Sequence, residues 1–122
     1  MSLCLLAGAL TVSLLAPNAT LAWTHSVEKI VWEEDWRATP AGVELIAARV
    51  RGSGAGMDPP AEARFVDGSW TWRPQVPAQQ RIVLRRSGAT ADWRVCVSGK
   101  CQPIEAYLPL DADPVVLTIC PG

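Results

Sequence analysis

The run Trp23-Thr24-His25-Ser26-Val27-Glu28-Lys29, followed by Trp32-Glu33-Glu34-Asp35-Trp36, gathers the chain's only histidine, four of its twelve acidic residues and half of its six tryptophans. Lys29 adds a local cation. An imidazole beside a carboxylate is the raw material of general acid–base chemistry. A lysine beside them offers donors to an anion, and Ser26 offers a nucleophile. Strand geometry limits these options, because successive side chains point to opposite faces. Leu21, Trp23, His25 and Val27 would share one face, and Thr24, Ser26 and Glu28 the other. A Ser26–His25 nucleophile pair therefore does not form in a regular strand. The plain reading of His25 is a half-buried histidine bonded to a backbone carbonyl or a carboxylate. The functional reading makes it line a pocket with Glu33 or Glu34 and with Lys29, where burial and mutual charge would shift their pKa values. Glu33, Glu34 and Asp35 could form a solvated edge whose charges discourage sheet pairing. Alternation nevertheless turns at least one of them inward. Trp32, Glu34 and Trp36 share a face, which suggests an indole N–H bonded to a carboxylate or a partly buried ion pair.

Other signals are weaker. Gly52-Ser53-Gly54-Ala55-Gly56 lacks the following helix and lysine of a phosphate loop. It reads as a glycine-rich crossover, with anion binding by its N–H groups as the sharper alternative. One histidine, and cysteines of which the nearest two have four residues between them, do not make a zinc set, and the acidic residues form no calcium loop, so no metal and no cofactor is expected. A net charge of −1 and a pI of about 5.7 give no nucleic-acid footprint. Arg81, Arg85 and Arg86 read as the solvated face of one strand.

The elements that must position these residues are strands. Short apolar runs at 3–6, 9–15, 20–27, 31–38, 43–51, 64–66, 69–73, 81–86, 92–97, 101–104 and 115–120 alternate with Gly, Pro, Asn and Asp. Turns are expected at Thr39-Pro40-Ala41-Gly42, Asp67-Gly68 and Ser98-Gly99. A helical turn fits between Glu105 and Asp113. These readings give an all-β fold, a single-domain antiparallel sandwich or small barrel of about 8–11 short strands spanning residues 1–122. Residues 1–22 present a choice. Leu3 to Leu15 could be the apolar core of a signal peptide, with Thr20-Leu21-Ala22 as its cleavage site. The alternation of Leu10, Val12 and Leu14 with Thr11 and Ser13, and the lack of Lys or Arg before His25, favour two folded strands joined to the next by a turn at Pro17-Asn18. No apolar run is long enough for a membrane-spanning helix.

Four cysteines allow three pairings. A tight turn at Ser98-Gly99 sets Cys96 opposite Cys101 at a non-hydrogen-bonded pair, close enough to bridge. Cys4 and Cys120 would then tie the chain ends. The alternative is four reduced thiols, two of them in the core. Disulfides would place the protein in an oxidising compartment.

The block Trp23 to Lys29, with Glu34, Trp36 and Gly52-Ser53-Gly54-Ala55-Gly56-Met57, resembles the bacterial domain-of-unknown-function family eighteen-fifty. That family is marked by an aromatic-Thr-His-Ser-Val-Glu-Lys block, a following acidic position and a Gly-Ala-Gly loop. Its members lie beside genes for TAXI-type TRAP transporters, which import organic acids with an extracytoplasmic binding protein. The resemblance implies a periplasmic or envelope-facing accessory or binding protein and not a characterised enzyme. Its partner would be a TRAP membrane subunit, the solute-binding protein or a small carboxylate. The signature maps onto His25, Ser26, Glu28, Lys29, Glu34, Gly54 and Gly56, which form the candidate site; no catalytic assignment accompanies them. Two rivals stand beside this reading. One is a small hydrolase or isomerase with His25 as base, oriented by Glu28 or Glu34. The other is a purely structural envelope protein.

Overall fold

Alternating apolar residues give the chain strands with one face to bury, and two sheets bury them against each other. The computed structural model describes residues 1–24, 30–51, 59–87 and 91–121. Among these are eleven strands: β1 Leu3–Ala7, β2 Leu10–Ser13, β3 Asn18–Thr24, β4 Val31–Thr39, β5 Gly42–Arg51, β6 Arg64–Val66, β7 Ser69–Trp72, β8 Ile82–Leu84, β9 Arg94–Val97, β10 Lys100–Pro103 and β11 Val115–Ile119. A short 3-10 helix, Ile104–Ala106, sits where the sequence allowed a helical turn. The strands form a four-stranded sheet in the order β2-β1-β11-β8 and a seven-stranded sheet in the order β10-β9-β3-β4-β5-β7-β6. All pairings within them are antiparallel. The architecture is a sandwich of open sheets rather than a closed barrel. Among the described residues no helix is long and apolar enough to cross a membrane.

The turns follow from their residues. Asp67-Gly68 and Ser98-Gly99 have positive φ at both positions (49° and 81°, 53° and 82°), as a type I′ turn requires. A further hairpin, not singled out in the sequence, joins β1 to β2 through Gly8-Ala9. There Gly8 takes φ 58° at the first loop position, as a type II′ turn needs. The turn expected at Pro17-Asn18 lies earlier. Leu15, at φ 57°, swings the chain from one sheet to the other, and Asn18 already belongs to β3.

The core lies between the sheets. Leu3, Leu5, Val115 and Leu117 of the smaller sheet meet Ala19, Leu21, Trp36, Val43, Leu45 and Val95 of the larger. Leu3, Leu5, Leu21, Val95 and Leu117 are fully buried, and truncating such a leucine to alanine costs about 2–5 kcal/mol. Two disulfides close the frame, Cys4–Cys120 and Cys96–Cys101, and no free cysteine is present. The first joins β1 to the residue after β11. The second bridges β9 and β10 two residues from the Ser98-Gly99 turn, at the register the turn sets.

A bulge controls which residues of β5 face the core. Asp35 pairs with Ala47 but Trp36 pairs with Leu45, leaving Ile46 as the extra residue. Val43 and Leu45 point inward before it, and Ala48 and Val50 after it. A regular strand would have turned Arg49 inward instead.

An aromatic face around Glu34

Six of the seven signature residues, His25, Ser26, Glu28, Lys29, Gly54 and Gly56, lie outside the described residues. The strand ends leading to them, Thr24 and Arg51, stand at one end of the seven-stranded sheet. Thr24 pairs with Val31, and the next row joins Trp32 to Val50. The seventh residue, Glu34, sits in the middle of that sheet on β4. This corrects the reading of Glu33-Glu34-Asp35 as a solvated edge: β4 is flanked by β3 and β5.

Register sorts the three carboxylates. Glu34 pairs with the core residue Leu21 and with buried Ala48, so it faces inward between Trp32 and Trp36 of its own strand. Burial pushes its pKa up, and the Trp36 indole directed at it pulls part of the way back. The Trp36 indole thus approaches the inward-facing carboxylate without completing the indole N–H to carboxylate bond, one of the two arrangements expected. That contact falls short of full hydrogen-bond geometry, since Trp36 Nε1 counts as unpartnered.

Glu33 and Asp35 face outward and are claimed by Arg49. Its Nη1 and Nη2 donate to both Asp35 oxygens at 2.7 Å, its Nε donates to Glu33 at 3.2 Å, and the Thr20 hydroxyl donates to Asp35 at 2.6 Å. Burial alone would raise the Asp35 pKa, but the bonds from Arg49 and Thr20 overcome it and hold the carboxyl low. The bonds to Asp35 and Glu33 in turn push the pKa of Arg49 up, against the effect of its burial.

The inner face beyond the core is aromatic. One row crosses five strands: Trp23 opposite Trp32, Trp32 opposite Val50, Val50 opposite Trp70, and Trp70 opposite Phe65. Trp72, opposite Ala48, shares the face one row in. Trp23 and Trp32 stack with centroids 6.1 Å apart, and Phe65 meets Trp70 edge-on at 5.3 Å. The indole N–H groups of Trp32, Trp36 and Trp70 are buried and have no hydrogen-bond partner among the described residues. Buried donors are nearly always satisfied, so three orphans on one face of the sheet call for an acceptor.

At the Trp23 end the row continues to Trp93, 4.9 Å away and tilted by 52°. Beside this pair a cleft of about 140 Å³ is lined by Trp23, Thr24, Arg85, Arg86, Asp92 and Trp93. Arg86 is not the solvated arginine expected. Its side chain is 4% exposed and grips Asp92 with two bonds, at 3.1 and 2.8 Å. Its Nη1 donates to the carbonyls of Pro109 and Ala112. Asp92 also accepts from the backbone N–H of Trp93 and Glu105. Arg85, by contrast, is 74% exposed and pairs with Asp113. Nothing in the run Arg81 to Arg86 separates the buried arginine from the exposed ones. Trp70, Trp72 and Trp93 were missed as site residues, although their spacing on strand-like runs carried a signal: Trp70 and Trp72, two apart, must share a face.

Chemically, the arrangement offers neutral donors, flat apolar surface and one carboxyl whose proton is held more tightly than usual. It suits binding. The hydrolase or isomerase alternative turns on His25, outside the described residues. Among the described residues, no group of three or more His, Cys, Asp or Glu is placed to hold a metal ion.

No curated protein and no solved structure matches the chain. The family model described as Domain of unknown function (DUF1850) matches residues 19–104. That span takes in the whole seven-stranded sheet apart from Asn18, and of the smaller sheet only β8. With well over half of its residues inside the match, the chain belongs to the DUF1850 family.

Proposed function

We propose that this protein is a binding or accessory module of a TAXI-type TRAP organic-acid transport system, periplasmic or envelope-facing, and that the face around Glu34 receives a small carboxylate. The observation that carries the proposal is the set of three buried, unpartnered indole donors, Trp32, Trp36 and Trp70, on the face that also holds Glu34. Donors without acceptors fit an acceptor-rich ligand. A Glu34 carboxyl that keeps its proton can itself donate to a carboxylate, so binding should strengthen as pH falls toward its raised pKa. The link to transport is supported by the resemblance of the signature block to a family whose genes neighbour these transporters. The compartment is supported by two disulfides, which persist in oxidising surroundings. The membrane subunit or the solute-binding protein would be the macromolecular partner.

Titration with a panel of mono- and dicarboxylic acids, followed by tryptophan emission, tests the site. A saturable change is expected. Trp32→Phe and Trp70→Phe keep the ring and remove the donor, so each should weaken binding about 10- to 100-fold, the worth of a hydrogen bond to a charged group. Pull-down from native membranes and organic-acid uptake in a deletion strain test the partner and the pathway. Unchanged emission with every acid would refute the site, and normal uptake would refute the transport role.

A further inference from the structure

We infer that two copies of this protein associate through the free edge of β2, merging two four-stranded sheets into one eight-stranded sheet about a two-fold axis at Val12. The open sheets leave four edges: β2 and β8 in one sheet, β10 and β6 in the other. Three are guarded in the way that prevents edge pairing. β6 has three residues and begins at Arg64, β8 has three residues between Arg81 and Arg85, and β10 runs from Lys100 to Pro103. Across a two-fold axis each of these charges would lie close to its own copy. β2, Leu10-Thr11-Val12-Ser13, has no charge, no proline and no bulge, and no Asp, Glu, Lys or Arg occurs anywhere in residues 1–24.

The register of the β1–β2 hairpin decides which groups are free. The two-residue Gly8-Ala9 loop makes Ala7 and Leu10 the closing hydrogen-bonded pair, with Leu5 and Val12 the next. The main-chain groups of Leu10 and Val12 therefore face β1, and those of Thr11 and Ser13 face outward. An antiparallel partner centred on Val12 sets Thr11 of one copy against Ser13 of the other, twice, each pair exchanging both of its bonds. The same centring serves the side chains. Val12 pairs with core Leu5 and Leu10 with Ala7, so both lie on the inner face. The two Val12 side chains then meet on the axis, and Leu10, 48% exposed, comes beside Leu14 of the other copy. Leu15, 87% exposed, follows at the end of the edge. The contact is small, so the dimer is weak and grows with concentration.

Sedimentation equilibrium of the full chain over the micromolar to millimolar range tests this. The wild type should rise from monomer toward dimer mass. Thr11→Pro removes only an outward N–H, so the hairpin is kept and the added strand is blocked. Thr11→Lys puts a charge near the axis in both copies. Both variants should stay monomeric at wild-type melting temperature. A wild type that is monomeric throughout, or dimers that survive in either folded variant, would overturn the inference. If Thr11→Pro fails to fold, Thr11→Lys decides alone.

Discussion

The two disulfides should differ sharply in what they contribute, because they close loops of very different length. Cys4–Cys120 spans a sequence separation of 116 and Cys96–Cys101 a separation of 5. On the chain-entropy relation, closing the long loop removes about 16 cal/mol/K from the unfolded ensemble and the short one about 7 cal/mol/K. At room temperature these correspond to about 5 and about 2 kcal/mol. A chain of 122 residues unfolds with an entropy of about 0.26 kcal/mol/K. The paired variant Cys4→Ala/Cys120→Ala should therefore melt about 19 °C below the wild type, and Cys96→Ala/Cys101→Ala about 8 °C below. Cys4 is 2% exposed, so the lost sulfur adds a packing penalty in the same direction. Differential scanning calorimetry of the oxidised proteins, with thiol titration to confirm each state, measures the two shifts. Equal losses, or a larger loss from the hairpin bond, would refute the loop-length argument. The same figures bear on compartment: a loss of about 5 kcal/mol is comparable to the whole stability of many domains. A strong reductant should thus leave the wild type largely unfolded at body temperature.

Arg86→Met should destabilise by about 3–5 kcal/mol, since it strands the Asp92 carboxylate, 11% exposed, without its cation. Adding Asp92→Asn should recover part of the loss in chemical denaturation. Glu34→Gln should change the pH dependence of stability. A carboxyl whose pKa is raised on folding gives its full contribution below the ordinary value of 4.5 and loses it as pH rises through the folded value. The variant should therefore gain on the wild type as pH rises toward neutrality, and urea melts at several pH values read this. Asp35, held low in the fold, acts oppositely. Its contribution is present above the ordinary value of 3.8 and fades as pH falls through its lowered pKa, so Asp35→Asn should cost stability at neutral pH and little in strong acid. Gly42→Ala should cost at least about 1–3 kcal/mol from backbone strain. Gly42 has φ 130°, and an added Cβ would lie 2.6 Å from the Gln79 carbonyl oxygen that bonds Val43, so thermal melting should fall by several degrees.

Strand positions and tight turns were legible because their causes are local. Asp67-Gly68 and Ser98-Gly99 announce positive φ, and short β-branched or aromatic runs bounded by turn residues, such as Ser69 to Trp72 or Val115 to Ile119, read as strand. The hairpin at Ser98-Gly99 even set Cys96 against Cys101. What depends on distant partners was hidden. Arg86 reads as one of three similar arginines, and its burial follows from Asp92 and from the carbonyls of Pro109 and Ala112, which belong to other parts of the fold. The bulge at Ile46 left a fainter trace. Polar residues in β5 fall on even numbers at Glu44 and on odd numbers at Arg49 and Arg51, a slip of phase that a regular strand would not tolerate. The row from Trp23 to Phe65 needs the order and register of five strands, which no local pattern carries.

The mismatch between the two sheets accounts for the unusual choice of aromatic residue, six Trp against one Phe and one Tyr. Four strands cannot cover seven. β11 lies against β5, and the core cluster reaches Leu45 and Val43, but toward β7 and β6 the inner face passes to Trp70, Trp72 and Phe65, which do not belong to that cluster. A side chain at such a margin must present a large apolar surface to what is covered and a polar group to what is not. Indole does both, with one donor at its rim. Where water or a neighbour meets that rim, the donor is satisfied, as in Trp93, whose Nε1 donates to the Arg85 carbonyl at 2.9 Å. Trp32 and Trp70 at the same margin, and Trp36 at the border of the core, are buried without an acceptor among the described residues. Simple edge packing would place aliphatic side chains there at no polar cost. On the outer face of the same sheet, Glu33 and Asp35 already have their cation in Arg49. On the proposed reading a ligand would meet the inner face, which carries these donors and toward which Glu34, the signature carboxyl among the described residues, is turned.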